Sequence, residues 1–198
     1  MIIDIESFVS REIYERLMEY TKLLLKWNNT INLIASSTVH EVAQRHIVDS
    51  LQLFKFIENK DIVIVDLGSG AGLPGIILSI AGIKKVTLVE SNSRKVAFLR
   101  QAAQLSQGEV EVVNERLEEV AGLKCDIVTS RAFADLDKIF TLSQGVAVAN
   151  KYLLHKGERY QEEISKAKKH WLFNSKVHDS ITSDYGKILE ITDVKHIP

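Results

Sequence analysis

A single cysteine, Cys125, stands in the 198 residues, so no internal disulfide can form and no multi-cysteine zinc site can be built. It lies in an apolar, strand-like run, where a buried structural thiol is the expected role. No apolar stretch approaches the roughly 20 residues that cross a bilayer, and no charged-then-apolar leader follows Met1. A cytoplasmic protein without membrane contact is therefore expected. Charge of one sign is also missing: 25 Lys and Arg face 26 Asp and Glu, for a net charge of -1. That balance does not advertise a nucleic-acid binder, although a local basic face remains compatible with it. His46 is a lone histidine without a second His or carboxylate at zinc-site spacing, and no metal is expected. Proline is nearly absent. Only Pro74 and Pro198 occur, which leaves Pro74 conspicuous inside a glycine-rich segment.

What is present falls into two rhythms. In residues 5–27 the apolar positions Ile5, Phe8, Val9, Ile13, Leu17, Tyr20, Leu24 and Trp27 recur at helical spacing. A second helix is expected from Thr38, with Thr38 and Glu41 as a capping box, running through Ile47, Leu51 and Phe54. From Ile62 the pattern changes to short β-branched runs at 62–65, 86–89, 110–113, 125–129, 152–155, 176–181 and 188–192. Helix-like stretches lie between them at about 73–81, 93–106, 116–121, 136–148 and 160–170. Repeated strand and helix argues for an α/β, Rossmann-like fold with a mostly parallel seven-stranded sheet. Only turn residues separate the last two runs, so they should form an antiparallel closing hairpin. The expected organisation is a helical extension over 1–60 packed on a core domain over 61–198.

Val65-Asp66-Leu67-Gly68-Ser69-Gly70-Ala71-Gly72 is the segment that carries chemistry. A buried strand ends in an acid and enters three glycines at alternate positions, where positive φ and close ligand approach are possible. The following helix N-terminus favours a carboxylate or phosphate. A phosphate-binding P-loop needs Lys-Ser/Thr after its last glycine, and Leu73-Pro74 cannot serve. The dinucleotide fingerprint places its third glycine where Leu73 stands. An acid followed by G-x-G-x-G is the pattern of class I methyltransferases, which use S-adenosylmethionine. Glu90, ending the next strand, is placed to bind ribose hydroxyls. Glu90 would suit the ribose of NAD as well, and a structural glycine turn remains an alternative.

Several strings together resemble the RsmG (GidB) family, bacterial methyltransferases acting on N7 of a guanine in the decoding region of 16S rRNA. They are Lys26-Trp27-Asn28 with Asn32-Leu33, Arg45-His46 with Asp49-Ser50, Leu73-Pro74-Gly75, Glu90-Ser91 with Arg94-Lys95 and Phe98-Leu99, and Ser130-Arg131-Ala132-Phe133-Ala134. The resemblance spans about Trp27 to Gly157. The family's arginine before the last strand is missing, with Lys187 nearby. The resemblance implies cofactor contacts from Gly68, Leu73, Leu117, Glu118 and Arg131, with Leu117 and Glu118 beside the adenine; Asp66, Gly70 and Glu90, from the turn motif and the next strand, complete the expected S-adenosylmethionine site. It implies 16S rRNA or the small ribosomal subunit as partner, and a monomer is expected.

Arg131 follows a strand and should emerge at the mouth of the site, free for a carboxylate or phosphate. Arg45 and Asp49, four apart, are expected to pair on one helix. Arg45, His46, Arg94, Lys95 and Lys156 are candidates for RNA contact; solvated helix faces are the alternative for most of them. Lys84-Lys85 and the group Lys166, Lys168, Lys169 and His170 are further basic clusters. Guanine N7 carries an exposed lone pair and needs no deprotonation, so no catalytic acid or base is named. Two other functions stay open: a non-catalytic RNA-binding module that keeps the fold, and a methyltransferase for small molecules or proteins.

Overall fold

The protein is described by a computed structural model covering residues 5–197. All seven expected strands form: β1 Val63–Leu67, β2 Lys85–Val89, β3 Glu109–Val113, β4 Leu123–Arg131, β5 Val146–Lys156, β6 Trp171–Asp179 and β7 Lys187–His196. They build one sheet in the order β3-β2-β1-β4-β5-β7-β6. β1 to β5 run parallel, and β7 lies antiparallel between β5 and β6. The closing hairpin thus folds back so that its second strand, not its first, pairs with β5, and β6 forms the sheet edge.

Two apolar cores flank the sheet, and neighbouring residues of each strand feed opposite ones. Ile64, Leu88, Ile127, Leu153 and Ile188 face one side. Val65, Val89, Val128, Leu154 and Leu189 face the other. A strand buried on both faces must be apolar at successive positions, hence the continuous β-branched runs. The first core also contains Leu17, Tyr20 and Leu24 of the N-terminal helix α1, Arg11–Asn28, so the extension and the sheet share one core. α1 begins at Arg11 rather than at Ile5, because the Ser10 side chain accepts from the Ile13 N–H and caps it there. Tyr20 is fully buried, and its hydroxyl donates to the Ala71 carbonyl at 2.6 Å, tying α1 to the glycine turn.

The second expected helix is not regular. Residues 36–56 form a 3-10 segment (Ser36–Glu41), a π-helical turn (Ala43–Val48), the short α2 (Asp49–Leu51) and another 3-10 turn (Gln52–Phe56). Thr38 is no N-cap: its hydroxyl donates to the Ala35 carbonyl. The carbonyls of Arg45 and Asp49 accept from side chains of the sheet, which draws them out of the helical ladder. Such π-turns are frequent at functional sites.

The remaining helices are α3 Gly75–Ile80, α4 Ser93–Ala102, α5 Leu136–Leu142 and α6 Tyr160–Ala167. The helix expected at 116–121 is absent; two bonds, from the Glu119 N–H to the Arg116 carbonyl and from the Val120 N–H to the Leu117 carbonyl, close a turn there, too few to sustain a helix. Residues 146–148 belong to β5, not to the helix before it. Gly145 makes that change of direction, since a Cβ there would lie 2.0 Å from the Val120 carbonyl oxygen. Cys125 is buried in β4, and burial pushes its thiol up to about 12. Among the described residues, no helix is long and apolar enough to cross a membrane.

Candidate active site

The carboxyl ends of β1, β2 and β4 converge on one edge of the molecule, the place where open parallel sheets bind ligands. Gly68, Gly70 and Gly72 follow β1 with φ of 63°, 56° and 77°, the left-handed region that favours glycine. At Gly68 the requirement is double, because a Cβ would fall 2.1 Å from the Phe133 ring. At Gly70 a Cβ would meet only the Gly68 carbonyl oxygen at 3.8 Å, so the turn there presents bare backbone to open space.

Glu90 follows β2 and is buried beside this turn. Its Oε2 accepts from the Gly70 N–H at 2.9 Å and its Oε1 from the Asn92 N–H at 2.8 Å. A carboxylate has about four acceptor positions, so two remain for hydroxyl donors. A cavity of about 370 Å³ opens next to it, lined by Gly68, Glu90, Lys95, Leu117, Glu118 and Phe133 among others. The structure therefore brings four of the expected cofactor residues, Gly68, Glu90, Leu117 and Glu118, into one chamber. These residues fit an adenosine moiety: bare backbone at the turn, a carboxylate with unused lone pairs, and an apolar side chain in Leu117.

Asp66 and Leu73 sit differently from the expectation. Asp66 is 0 % exposed and lies beneath the turn. Its Oδ1 accepts from the Thr129 hydroxyl at 2.8 Å, while Oδ2 has no partner among the described residues. Burial raises its pKa to about 6. Leu73 is buried in the first core and its N–H goes to the Ser69 carbonyl. Both support the turn from inside and line neither cavity described here.

A second cavity, about 520 Å³, lies beyond the segment Ala132–Ala134, and Ala132 and Ala134 line both. Ala132 has a φ of 53°, and this left-handed residue follows Arg131 directly, ahead of Phe133 over Gly68. The walls of the second cavity include Arg45, His46, Asp49, Arg131, His155 and Lys156.

Arg131 is not free. Its Nη1 donates to the Arg45 carbonyl at 2.9 Å and to Asp49 Oδ2 at 3.2 Å; its Nη2 lies 2.9 Å from His46 Nδ1. Asp49 is thus the partner of Arg131 and not of Arg45, correcting the expected pairing within one helix. An arginine only donates, so His46 Nδ1 must accept and its proton sits on Nε2. That N–H faces Thr38 Oγ1 at 2.9 Å, whose own proton goes to Ala35. Burial and the neighbouring Arg131 hold the His46 pKa down at about 4, consistent with this neutral tautomer.

Asp49 is the centre of a wider network. Its Oδ1 also accepts from Thr182 Oγ1 at 2.6 Å and Gln52 Nε2 at 2.8 Å, and its carbonyl accepts from His155 Nε2 at 2.8 Å. Its pKa is lowered: His155, Thr182 and Arg131 together outweigh the burial that would raise it. Three distant segments, the irregular stretch 36–56, the end of β4 and the β6–β7 turn, meet on this one carboxylate. Spacing gave no sign of it, because Arg131 and Thr182 stand 82 and 133 residues from Asp49, beyond any local pattern.

The candidates for RNA contact divide. Arg45 is exposed on the rim of the larger cavity, and Arg94 is exposed at the start of α4. Lys95 lines the smaller cavity instead. His46 is taken up by Arg131 and Thr38. Lys156 Nζ donates to the Ala134 carbonyl at 2.7 Å and to Glu163 at 2.6 Å and is nearly buried, so it is not a free phosphate ligand. Its bond to Ala134 holds the wall between the two chambers.

A doubly flanked parallel sheet with a closing hairpin, a G-x-G-x-G turn and an acid after β2 define a class I S-adenosylmethionine-dependent methyltransferase. Solved structures agree on the fold. Magnesium protoporphyrin IX methyltransferase (ChlM) from Synechocystis PCC 6803 with bound SAM aligns with a TM-score of 0.59 at 17% identity, covering 87% of this chain and 96% of that one. The ribosomal protein L11 methylase from Lactobacillus delbrueckii subsp. bulgaricus gives a TM-score of 0.58 at 15% identity, covering 73% and 76%. The chain belongs to the GidB family, rRNA small subunit methyltransferase G, whose model matches residues 13–192. Ribosomal RNA small subunit methyltransferase G of Rickettsia akari (strain Hartford) is 49% identical over 96% of this chain and 98% of its own length. The protein of the same name from Orientia tsutsugamushi (strain Boryong) is 50% identical over 96% and 95%.

Proposed function

We propose that this methyltransferase modifies N7 of a guanine in the decoding region of 16S rRNA, by direct attack of the ring nitrogen. The observation that carries the reading is the pair of chambers divided by Ala132–Ala134. One suits an adenosine, and the other, wider and open to solvent, lies directly beside it with Arg45, Asp49 and Arg131 in its walls. The position on the ribosome rests on the family and its resemblance.

S-adenosylmethionine, when bound, supplies an electrophilic methyl group on a sulfonium. Gly68, Glu90, Leu117 and Glu118 are the residues that would hold it, with Gly70 shaping the turn and Asp66 and Leu73 supporting it from below. N7 of guanine has a lone pair in the ring plane, so no residue has to remove a proton before attack. The protein's contribution is orientation of the two partners in adjoining chambers. A methylated N7 leaves a cationic ring, next to which an uncompensated arginine would be unfavourable. Asp49 lies 3.2 Å from Arg131 and offsets that charge, so Arg131 shapes the wall without opposing the product. Arg45 and Arg94 are the exposed cations proposed to meet phosphates, and binding should weaken steeply with added salt.

The test is methyl transfer from labelled S-adenosylmethionine to naked 16S rRNA and to assembled small subunits, followed by nucleoside analysis. 7-Methylguanosine at one decoding-region position is expected. Cofactor binding without methyl transfer to either RNA form would defeat the reading, and label on an exocyclic amine or a ribose would defeat the N7 assignment.

A further inference from the structure

Half of the fourteen Phe, Tyr and Trp rings are engaged with one another. Tyr20 and Trp27 pack on Phe98, and Phe140 contacts Tyr152, Trp171 and Phe173. Tyr185 is the exception that matters. It is 68% exposed, belongs to neither core, and among the described residues its ring and hydroxyl have no partner. Yet it lines the larger cavity, together with Arg131, Asp49 and Lys187.

The turn that carries Tyr185 is held firmly. The Gly186 N–H donates to the Ser183 carbonyl at 3.2 Å and the Ser180 N–H to the Gly186 carbonyl at 3.1 Å, closing Ser183-Asp184-Tyr185-Gly186 between β6 and β7. Thr182 reaches Asp49, and the Ile181 N–H donates to Gln52 Oε1 at 3.0 Å. The same carboxylate that fixes Arg131 therefore fixes the root of this turn. A large side chain is presented to solvent at the mouth of the site on a pre-ordered support, which lowers the entropy lost on binding.

The turn offers a π-face rather than charge. Lys187 is paired with Asp179, and Asp184 is exposed and acidic, so a phosphate has no free cation to meet there. We propose that Tyr185 is a stacking platform for an unpaired nucleobase of the rRNA adjacent to the one methylated, a subsite that positions the substrate strand at the cavity mouth. Aromatic stacking is how unpaired RNA bases are held once splayed out of a helix, and it tolerates any base. The inference rests on the larger cavity receiving the target base.

The experiment uses the whole enzyme and 16S rRNA or small subunits, comparing Tyr185→Ala, Tyr185→Phe, Tyr185→Trp and Tyr185→Leu. Tyr185→Ala should raise the KM for RNA by roughly five- to a hundredfold, the size of one lost stacking contact. The kcat, the affinity for S-adenosylmethionine and the melting temperature should stay near the parent values, because the residue touches no core. Phe and Trp should restore the KM and Leu should not. An unchanged KM in Tyr185→Ala, or rescue by Leu as good as by Phe, overturns stacking. A loss shared by Phe and Trp overturns it as well, pointing to the hydroxyl. Failure of the unaltered enzyme to methylate rRNA would instead strike the reading beneath, and this proposal with it.

Discussion

Arg131→Ala separates two roles for the same side chain, and the structure sets the size of the effect. Sequence alone favours an arginine free to hold the cofactor or an RNA phosphate. In the structure its guanidinium makes three bonds, to the Arg45 carbonyl, His46 and Asp49, and its side chain is only 16% exposed. Hydrogen bonds to a charged group contribute about 1.5–3 kcal/mol each, but three on one group do not add. Breaking a largely buried pair by removing one partner costs about 3–5 kcal/mol, since the other charge stays buried. Asp49 keeps Thr182 and Gln52, which moves the expectation to the lower part of that range, about 3 kcal/mol. Against a typical domain stability of about 5–15 kcal/mol this is a large loss. Urea denaturation should show a clearly lower midpoint with an unchanged slope. Arg131→Lys should fall between, since one ammonium cannot match the fork toward three acceptors. Asp49→Ala combined with Arg131→Ala should cost less than the sum of the single changes. A stability within about 0.5 kcal/mol of the parent, with cofactor affinity sharply reduced, would refute the clamp and restore the free-ligand role.

Glu90→Gln should weaken S-adenosylmethionine binding at least tenfold by calorimetry, because an amide keeps one acceptor oxygen where the carboxylate accepts from two backbone N–H groups and is proposed to accept from the ribose as well; unaltered affinity would remove Glu90 from the site. Asp66 and His46 should give opposite pH dependences of stability. Asp66, raised from 3.8 to about 6, stabilises fully below pH 3.8 and loses that contribution as pH rises through 6, on the order of 3 kcal/mol. His46, lowered from 6.5 to about 4, stabilises fully above pH 6.5 and loses its contribution as pH falls through 4. Asp66→Asn should therefore make melting more acid-sensitive between pH 4 and 6 and His46→Gln less so, and parallel pH profiles for parent and variants would contradict both assignments. Tyr20→Phe should cost about 1 kcal/mol in melting by removing the buried bond to the Ala71 carbonyl. A loss of cofactor affinity larger than that of stability would show that this bond also holds the glycine turn.

The sheet was readable because its cause is local. A strand covered on both faces must be apolar at consecutive positions, as in Ile64-Val65, Ile127-Val128 and Leu153-Leu154, and such runs are visible one at a time. The same holds for the glycine turn, whose positive φ values admit few other residues, and for Glu90, which follows a strand at a fixed place. These features determined the fold and the cofactor class from the residue order alone, and they place Gly68 and Glu90 on the smaller cavity. The irregular segment 36–56 was not readable as such. Its apolar spacing is helical, and what unwinds it is the demand of Arg131 and His155, on β4 and β5, for its carbonyls.

The charged groups were decided by tertiary structure throughout. Arg45 and Asp49 have the spacing of a helix pair, yet Arg131 and Thr182 take Asp49, from 82 and 133 residues away in the chain. Lys156 reads as a free cation after a strand until Glu163 and the Ala134 carbonyl are seen to occupy it. A long polar side chain can reach several partners, and which one it takes depends on burial that only the packed chain creates. A glycine's backbone or a strand's apolar run carries its constraint within a few residues, so the sequence by itself determined the scaffold and the cofactor. The packing determined which charges remain free to meet RNA.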